Sequence, residues 1–384
     1  MERSVYFDNA ATTPIRKEVI ESMHSVLLDT FGNPSSTHSF GRSAKTQIET
    51  ARKSIAKHFN ANPQEIIFTS GGTESDNMLI RCSVQDLGVE TVITSRIEHH
   101  AILHAVEFLA ENKLAQVLYV KTDAEGVVDY NDLAHLLAAD DSKKLVSLMH
   151  INNEIGSILD LERVSNLCKT HNALFHSDAV QGVGHYTIDL EKIQIDFLSA
   201  AAHKFHGPKG VGFSFVRKNS GLNPFILGGS QERGLRAGTE SVHNIVGMAK
   251  ALEIAYLNLD EEQGYLKKIK QYAVNELKAA FPDIHFNGCC SDLDRSTCTL
   301  VNVALPVPED KASLLNFHLD LKGIACSKGS ACQSGSAKGS HVLEEVVPEE
   351  FKSRPSIRFS FSIFNTIDEI DYLVQTLSSF VEGK

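Results

Sequence analysis

Short apolar runs alternate with longer amphipathic stretches over the first two thirds of this chain. The runs are bounded by Gly, Pro, Asn or Ser, which is typical of buried strands. We predict strands over residues 65–68, 91–94, 116–120, 145–150, 173–175, 195–198 and 211–217. Apolar residues at helical spacing predict helices over residues 15–28, 43–59, 130–138, 161–169 and 242–257. The alternation predicts a mostly parallel sheet of the seven-stranded type, with helices on both faces.

The composition of the chain changes near Asn258, beyond which charged residues are more frequent. The last third combines predicted helices over residues 266–280 and 367–380 with short strands over residues 300–303 and 357–361. A chain of 384 residues is longer than one hydrophobic core normally supports. We therefore predict an α/β fold with a large domain over residues 15–257 and a smaller α+β domain formed by residues 1–14 and 258–384.

Polar residues follow directly on several predicted strands. Thr73, His99, Asn153 and Asp178 each stand at or just after a carboxyl end. Carboxyl ends of parallel strands share one edge of the sheet, where open α/β sheets bind ligands, so we expect these residues to converge. Lys204 follows the next strand. A lysine beside a carboxylate at this edge is what a pyridoxal phosphate enzyme needs, with Lys204 as the Schiff-base lysine and Asp178 as the partner of the pyridinium nitrogen.

The segment TSGGTESDNMLIRC, from Thr69 to Cys82, predicts a strand, a glycine turn and the start of a helix. The free amides and the positive end of the dipole at such a helix start suit a phosphate group, and Thr73 would add a hydroxyl donor. The alternative is an ordinary strand-to-helix turn in which Thr73 is only the N-cap.

Histidines concentrate in the segment EHHAILH. His100 and His104 share a helical face and would suit a metal, although no HExxH motif is present. His99 would equally suit a hydrogen-bonded position at a strand end, or stacking on a flat cofactor. These readings stay open, and we predict no metal site.

Charge and cysteine usage narrow the class of partner. The chain has 37 Lys and Arg against 48 Asp and Glu, a net charge of −11, which argues against nucleic acid or an anionic membrane as the main partner. No apolar run approaches the length of a membrane span, and the first residues lack the apolar core of a signal peptide. Seven cysteines without CxxC spacing predict reduced thiols in the cytoplasm and no structural zinc.

One cysteine stands in an unusual context. Cys332 lies between Ser327 and Ser340, where nearly every residue is small or polar, which predicts a flexible loop without bulky neighbours to bury the thiol. Lys328 and Lys338 would favour its thiolate, so Cys332 is a candidate nucleophile. A second loop, LGGSQERGLRAGTESVHN over residues 227–244, is rich in Gly and Arg, and we expect it to close over a site or to cross to a second subunit.

Together these motifs resemble those of the cysteine desulfurases, fold-type I pyridoxal phosphate enzymes of the class-V aminotransferase group. The resemblance is strongest to the branch that supplies sulfur for iron–sulfur clusters, and it runs from YFDNAATTP at Tyr6 to SIRFSFS at Ser356. The motifs that carry it are GNPSS, TSGGTESDN, EHHAI, HINNEIG, HSDAVQ, HKFHGPKG, RAGTESVHN and GSACQSGS.

The resemblance assigns roles around the cofactor ring. It implies that Lys204 forms the Schiff base, that Asp178 pairs with the ring nitrogen and that Gln181 reaches the ring hydroxyl. His99 would stack on the ring and move protons. Asn153 would line the same cofactor site.

A second group of residues would hold the phosphate. The resemblance implies the amide of Gly72, together with Thr73 and His203, and it implies that Thr239 comes from the neighbouring subunit of a homodimer. The family commonly has a Ser two residues before the His-Lys pair, where it donates to the phosphate. Here that position is Ala201, which removes one donor.

The remaining roles concern the substrate, L-cysteine. Asn153 and Arg358 would bind its carboxylate, and Asn33 would line the same pocket. Cys332 would accept the sulfur as a persulfide while the substrate becomes L-alanine. The sulfur would then pass to an accepting protein such as an iron–sulfur scaffold, whereas Cys326 is interpreted as structural.

Two alternatives stay open. One is another reaction on the same site, such as selenocysteine lysis or transamination, which would not need Cys332. The other is a pyridoxal phosphate-binding regulatory subunit with little turnover. Its only support is Ala201 together with Lys328 and Gln333 of the Cys332 loop, where the family usually has smaller residues.

Overall fold

The computed structural model describes residues 4–328 and 339–382. The strands of this part of the chain are β1 (Val5–Tyr6), β2 (Ile66–Thr69), β3 (Thr91–Ser95), β4 (Gln116–Val120), β5 (Lys144–Ser147), β6 (Leu174–Asp178), β7 (Phe197–Ala201), β8 (Gly212–Val216), β9 (His285–Phe286), β10 (Leu300–Ala304), β11 (Ile324–Ala325) and β12 (Ser356–Ser360). The helices are α1 (Lys17–Asp29), α2 (Ser39–His58), α3 (Gly72–Leu87), α4 (His100–Glu111), α5 (Tyr130–Leu137), α6 (Leu161–Thr170), α7 (Val242–Leu257), α8 (Leu259–Ala280), α9 (Glu309–Ala312), α10 (Leu315–Leu321), α11 (His341–Val346) and α12 (Ile367–Glu382).

A seven-stranded sheet forms the centre of the fold. Its strand order is β2-β8-β7-β6-β5-β3-β4, and every pairing is parallel except the two that β8 makes. Every residue of β3, β5 and β7 is buried, as expected for a sheet that helices cover on both faces. The predicted α/β fold with a mostly parallel sheet is confirmed.

The register of the central strands brings the carboxyl ends of β5, β6 and β7 to the same edge of the sheet. Ser147 of β5 pairs with His176 of β6, and Asp178 at the end of β6 pairs with Ser199 of β7. Because these strands run in the same direction, the residues that follow them leave the sheet at one edge.

Two helices begin earlier than the apolar pattern predicts. Helix α2 begins at Ser39 rather than at residue 43, because the side chain of His38 caps it by accepting from the amide of Gly41 at 3.3 Å. Helix α8 begins at Leu259 rather than at residue 266. Its first turn contains three acidic residues, which suit the positive end of the helix dipole but lack an apolar period.

Apolar side chains collect in separate cores. The helices on the two faces of the large sheet pack on clusters drawn from residues 19–252. A further cluster combines Val5 and Phe7 with residues between 266 and 377, around the antiparallel sheet β12-β10-β9 and the parallel pair β1 and β11. This separation supports the two-domain division, whose boundaries stay a prediction. No helix within the described ranges is long and apolar enough to cross a membrane.

Candidate active site

A cavity of about 220 Å³ opens at the carboxyl edge of the central sheet. Thr73, His99, Asn153 and Asp178, which the sequence predicts to converge there, all line it. In all, nine of the predicted site residues do so: Gly72, Thr73, His99, Asn153, Asp178, Gln181, His203, Lys204 and Arg358.

Lys204 enters the cavity from a single 3-10 turn that follows β7. Its Nζ donates to the carbonyl oxygens of Ala10 and Ala11, at 2.5 and 3.0 Å. The Nε2 of Gln181 donates to the Ala10 carbonyl as well, at 2.9 Å. The amino-terminal segment thus supplies the acceptors that hold the lysine in the cavity.

Asp178 ends β6 and is 5% exposed. Its Oδ1 accepts from the amide of Val180 at 2.9 Å. Burial, followed by repulsion from the carboxyl of Asp76, raises the pKa of Asp178 to about 7. A buried carboxyl of this kind is stabilised as an anion when a cation stands beside it.

The start of α3 forms a cradle that also lines the cavity. The N-cap of α3 is Gly71, which has no side chain to cap the helix. The alternative in which Thr73 is the N-cap is therefore wrong. The amides of Gly72 and Thr73 open the helix and have no acceptor within it. A Cβ at Gly72 would lie 2.8 Å from Cγ2 of Val180, so only glycine fits there without displacing a neighbour.

Two neutral histidines line the cavity. His99 is the N-cap of α4, and its Nδ1 accepts from the amide of Ala101 at 3.1 Å. Burial, followed by the charge of Lys204, lowers the pKa of His99 to about 4. The same two causes lower the pKa of His203 to about 4, and its Nδ1 lies 3.3 Å from the hydroxyl of Thr12. Both rings therefore hydrogen-bond near neutral pH without adding positive charge.

His100 and His104 share a helical face, as predicted, with ring centroids 5.0 Å apart. The ring of His341 packs against His100 at 4.5 Å. In the part of the chain that the structure describes, no group of three or more His, Cys, Asp or Glu side chains is arranged to hold a metal.

Arg358 closes the side of the cavity that faces the smaller core and is 1% exposed. Its Nη1 donates to the carbonyl of Asn153 at 2.7 Å, and its Nη2 donates to Oδ1 of Asp8 at 3.0 Å. Its Nε is buried without an acceptor among the described residues. A guanidinium held in this way suits a carboxylate, which can accept from two of its nitrogens at once.

Three predicted site residues are not among the described residues that line the cavity. Asn33 and Thr239 line a separate surface depression, together with the end of α1 and the start of α7. The structure does not bring either residue into the cavity of its own chain. Cys332 lies outside the described residues.

The sequence-based prediction missed several cavity residues: Ala10, Ala11, Asp76, Met149 and Val180. Asp76 carried a usable signal, because it stands one helical turn after Thr73 and so shares its face. Ala10 and Ala11 contribute through backbone carbonyls, for which residue type gives no signal.

Pyridoxal phosphate fits these residues. The buried carboxyl of Asp178 suits a protonated ring nitrogen, and the opened amides of Gly72 and Thr73 suit a phosphate. Lys204 lines the same cavity and supplies the amine that bonds to the aldehyde carbon. The fold and the site together define an α/β enzyme of the pyridoxal phosphate-dependent class.

Comparison with known proteins agrees. The chain matches the family aminotransferase class-V over residues 5–373. A cysteine desulfurase IscS of Dictyoglomus turgidum is 44% identical over 385 residues, which cover 100% of this chain and 95% of that protein. A solved NifS-like protein is 36% identical with a TM-score of 0.90, and each chain is covered completely. SspA, solved in complex with cysteine, is 32% identical with a TM-score of 0.81, over 94% of this chain and 100% of that one.

The chain therefore belongs to the aminotransferase class-V family of pyridoxal phosphate enzymes, and within it to the cysteine desulfurases. The resemblance seen in the sequence motifs is confirmed. The roles of individual site residues stay predictions.

Proposed function

We propose that this protein converts L-cysteine to L-alanine and transfers the sulfur to Cys332 as a persulfide. The observation that carries the proposal is that Lys204, Asp178 and Arg358 line one cavity. A lysine and a buried carboxyl serve a pyridoxal phosphate ring, and the arginine adds a place for an amino acid carboxylate. The sulfur would serve iron–sulfur clusters or other sulfur-containing cofactors, and we propose that the enzyme works in the cytoplasm.

When bound, pyridoxal phosphate supplies an electron sink for the substrate carbon atoms. Asp178 would favour the protonated ring nitrogen, because a cation offsets the burial that otherwise raises the pKa of this carboxyl to about 7. Gln181, whose amide is already fixed on the Ala10 carbonyl, would orient toward the ring hydroxyl.

His99 would stack on the ring and handle a proton. Its Nδ1 accepts from Ala101, so the neutral ring carries its proton on Nε2. The proton that His99 exchanges is therefore the one on Nε2. Its lowered pKa keeps the ring uncharged beside Lys204.

Arg358 and Asn153 would orient the substrate. Arg358 is fixed by Asp8 and by the Asn153 carbonyl, so little side-chain entropy is lost when a carboxylate binds. This would direct the thiol of the substrate away from Arg358 and toward the reacting thiol.

The sulfur step balances without an added oxidant or reductant. The Cys332 thiolate attacks the substrate sulfur, an S–S bond forms as the C–S bond breaks, and the bonding electron pair stays with carbon. That carbon then takes up a proton, so a thiol and cysteine become a persulfide and alanine.

The residues on both sides of the stretch that contains Cys332 support its assignment, because they bond to a cavity residue, Arg358, and to Glu154, the neighbour of the cavity residue Asn153. Ser327 exchanges backbone hydrogen bonds of 3.3 and 2.8 Å with Arg358, and the hydroxyl of Ser340 donates to Oε2 of Glu154 at 2.5 Å.

We further propose a homodimer in which Thr239 reaches the phosphate of the partner subunit. The depression that contains Thr239 is bordered by apolar side chains with large exposed fractions, including Leu27 at 56% and Phe31 at 73%, and Leu227 of the nearby loop is 82% exposed. Such a patch is typical of a protein interface. A protein that accepts the sulfur, such as an iron–sulfur scaffold, would be a second partner.

Mass spectrometry of the protein after brief exposure to L-cysteine tests the reaction. We expect one added sulfur on Cys332 and none on the other cysteines. In Cys332→Ala, cofactor absorbance should persist while alanine release falls by about 100-fold or more, because the attacking thiol is absent.

Cys326→Ala is the matched control. Cys326 is half-buried, and burial raises the pKa of its thiol to about 12, so it stays a poor nucleophile and its loss should leave alanine release unchanged. Alanine release by Cys332→Ala at the unmodified rate would refute the desulfurase assignment.

A further inference from the structure

The segment Gln231–Glu240, which contains Thr239, has a strained backbone. Glu232 and Arg233 have φ of 45° and 58°, and Gly234 follows with φ of 82°. Two successive residues with a Cβ in the left-handed region are costly, and such a conformation persists only when the surroundings impose it. We call residues 231–240 the presenting segment.

A buried ion pair holds the start of the presenting segment. The carboxylate of Glu232 accepts from Nη1 and Nη2 of Arg52 at 2.7 and 2.8 Å, and the two side chains are only 2% and 3% exposed. The Oε2 of Glu232 also accepts from the amide of Phe68 at 2.9 Å. Phe68 belongs to β2, the edge strand of the large sheet, and β2 leads directly into the Gly72 cradle. The strained turn is thereby fastened to the strand that supports the cradle.

A second ion pair holds the segment three residues before Thr239. Arg236 donates to Oε1 and Oε2 of Glu74 at 2.8 and 3.2 Å. Glu74 stands in the first turn of α3 beside Thr73, and its Oε2 also accepts from the amide of Ser70 at 2.8 Å. The presenting segment is therefore tied to the cradle on both sides of its glycine turn.

Thr239 itself does not line the cavity of its own chain. It is exposed and lines the depression it shares with Asn33. The ion pairs of Glu232 and Arg236 fix the segment to β2 and α3, and the Thr239 hydroxyl stays at the surface. An ordinary surface loop does not require two ion pairs and a strained turn to fix one exposed hydroxyl. A donor to a second subunit does benefit from them, because a hydroxyl fixed in advance loses less entropy on binding.

We propose that Glu232 and Arg236 are positioning residues for cofactor binding, which fix the presenting segment on β2 and α3 so that Thr239 stands ready for the phosphate of the partner subunit's cofactor. This inference rests on the proposed function, in which Thr239 donates across a homodimer. It adds that the position of Thr239 depends on two residues that lie outside the cavity lining and bond within their own chain.

The dissociation constant of pyridoxal phosphate, measured by absorbance titration of the full-length protein stripped of cofactor, tests the proposal. Thr239→Ala should weaken binding about tenfold, since it removes one hydrogen bond to a charged group. Glu232→Gln and Arg236→Gln should each weaken it by about the same factor. Combined with Thr239→Ala, each should add less than about twofold, because residues that act through one another are not additive.

Two further variants separate positioning from general stability. Glu49→Gln removes the second carboxylate on Arg52, at 3.1 Å, and a half-exposed contact with Arg233 at 3.4 Å. It keeps the buried Glu232–Arg52 pair that attaches the presenting segment to β2, so affinity should stay within about twofold. Arg233→Gly relieves the strain at φ of 58° and removes two long contacts of the guanidinium, with the Pro63 carbonyl and with Glu49, both at 3.4 Å. Added to Glu232→Gln, it should recover part of the lost affinity.

The outcomes distinguish the two levels of the proposal. Unchanged affinity in Thr239→Ala would refute the role of Thr239 and with it this inference. Tenfold weakening in Thr239→Ala, with additive effects of Glu232→Gln and Arg236→Gln, would overturn only the positioning role. The positioning role would also be overturned if the variants lose affinity only at protein concentrations at which sedimentation shows that the dimer has dissociated. If Glu232→Gln does not fold, the cycle of Arg236→Gln with Thr239→Ala gives the same decision.

Discussion

The proposed cofactor site has two parts, a ring end around Asp178 and a phosphate end at the start of α3. The two parts are built in different ways. The ring end is made of side chains of one chain, with Asp178 and Gln181 fixed on neighbouring backbone groups. The phosphate end is made mainly of backbone, at the start of α3, and in our proposal a second copy completes it. Asp76 brings an extra buried carboxyl to the ring end, whereas Ala201 adds no hydroxyl to the phosphate end.

This difference separates two tasks. The ring end stores buried charge, which destabilises the empty protein and is offset when a cation binds. The phosphate end stores no charge of its own and relies on dipoles and hydrogen bonds. Chemistry should therefore depend chiefly on the ring end, and retention of the cofactor on the phosphate end.

The largest effect is expected for Asp178→Asn. Alanine formation should fall by about 100-fold or more, because a neutral amide no longer favours a protonated ring nitrogen. The cofactor-free protein should nevertheless melt at a higher temperature at pH 8. In the folded protein the pKa of Asp178 is about 7, above its ordinary value of 3.8, so its protonated form is favoured by folding. The resulting stability is complete below pH 3.8 and is lost as the pH rises to about 7.

Melting curves of the cofactor-free variant at pH 4 and pH 8 test this directly. The gain of Asp178→Asn should be present at pH 8 and absent at pH 4. Asp141→Asn, at an exposed position, should show no gain at either pH. A variant that is less stable than the parent at pH 8 would contradict the idea that the ring end stores unfavourable charge.

The ring end was also the more predictable one. Lys204 and Asp178 follow strands whose apolar pattern is clear, so their shared edge follows from the rules of parallel sheets. The carbonyls of Ala10 and Ala11 could not be predicted, because backbone contacts across almost two hundred residues leave no mark on residue type. Asn33 and Thr239 were assigned by resemblance alone, and their common depression was visible only once α1 and α7 were placed together. The early start of α8 could not be predicted, because its first turn is charged and lacks apolar residues at helical spacing.

A smaller effect is expected at the phosphate end from Ala201→Ser. Ala201 is 1% exposed and lines the cavity, so a hydroxyl there would add one donor to the phosphate. Affinity for pyridoxal phosphate should increase about five- to tenfold, the value of one net hydrogen bond. Fluorescence titration measures this change.

Ala200→Ser is the matched control, since successive side chains of a strand point to opposite faces. Ala200 is fully buried, and a hydroxyl there should cost stability without improving affinity. Equal affinities of Ala201→Ser and the parent would mean that the phosphate end is not short of donors.

The smallest effect concerns the pH at which the empty protein takes up its cofactor. Uptake needs Asp178 ionised, so affinity should rise through pH 7 and level off above it. Asp76 is 1% exposed, and its charge contributes to the raised pKa of Asp178. Burial raises the pKa of Asp76 to about 7 as well, so its charge acts on Asp178 only near and above that pH. Asp76→Asn removes that charge, so the affinity curve should complete its rise at lower pH, with affinity at pH 7 about twofold higher and affinity at pH 6 little changed. The comparison is between two proteins with the same ligand, so titration of pyridoxal phosphate itself cancels. A curve that stays in place would show that the two carboxyls do not interact, and burial alone would then account for the charge stored at the ring end.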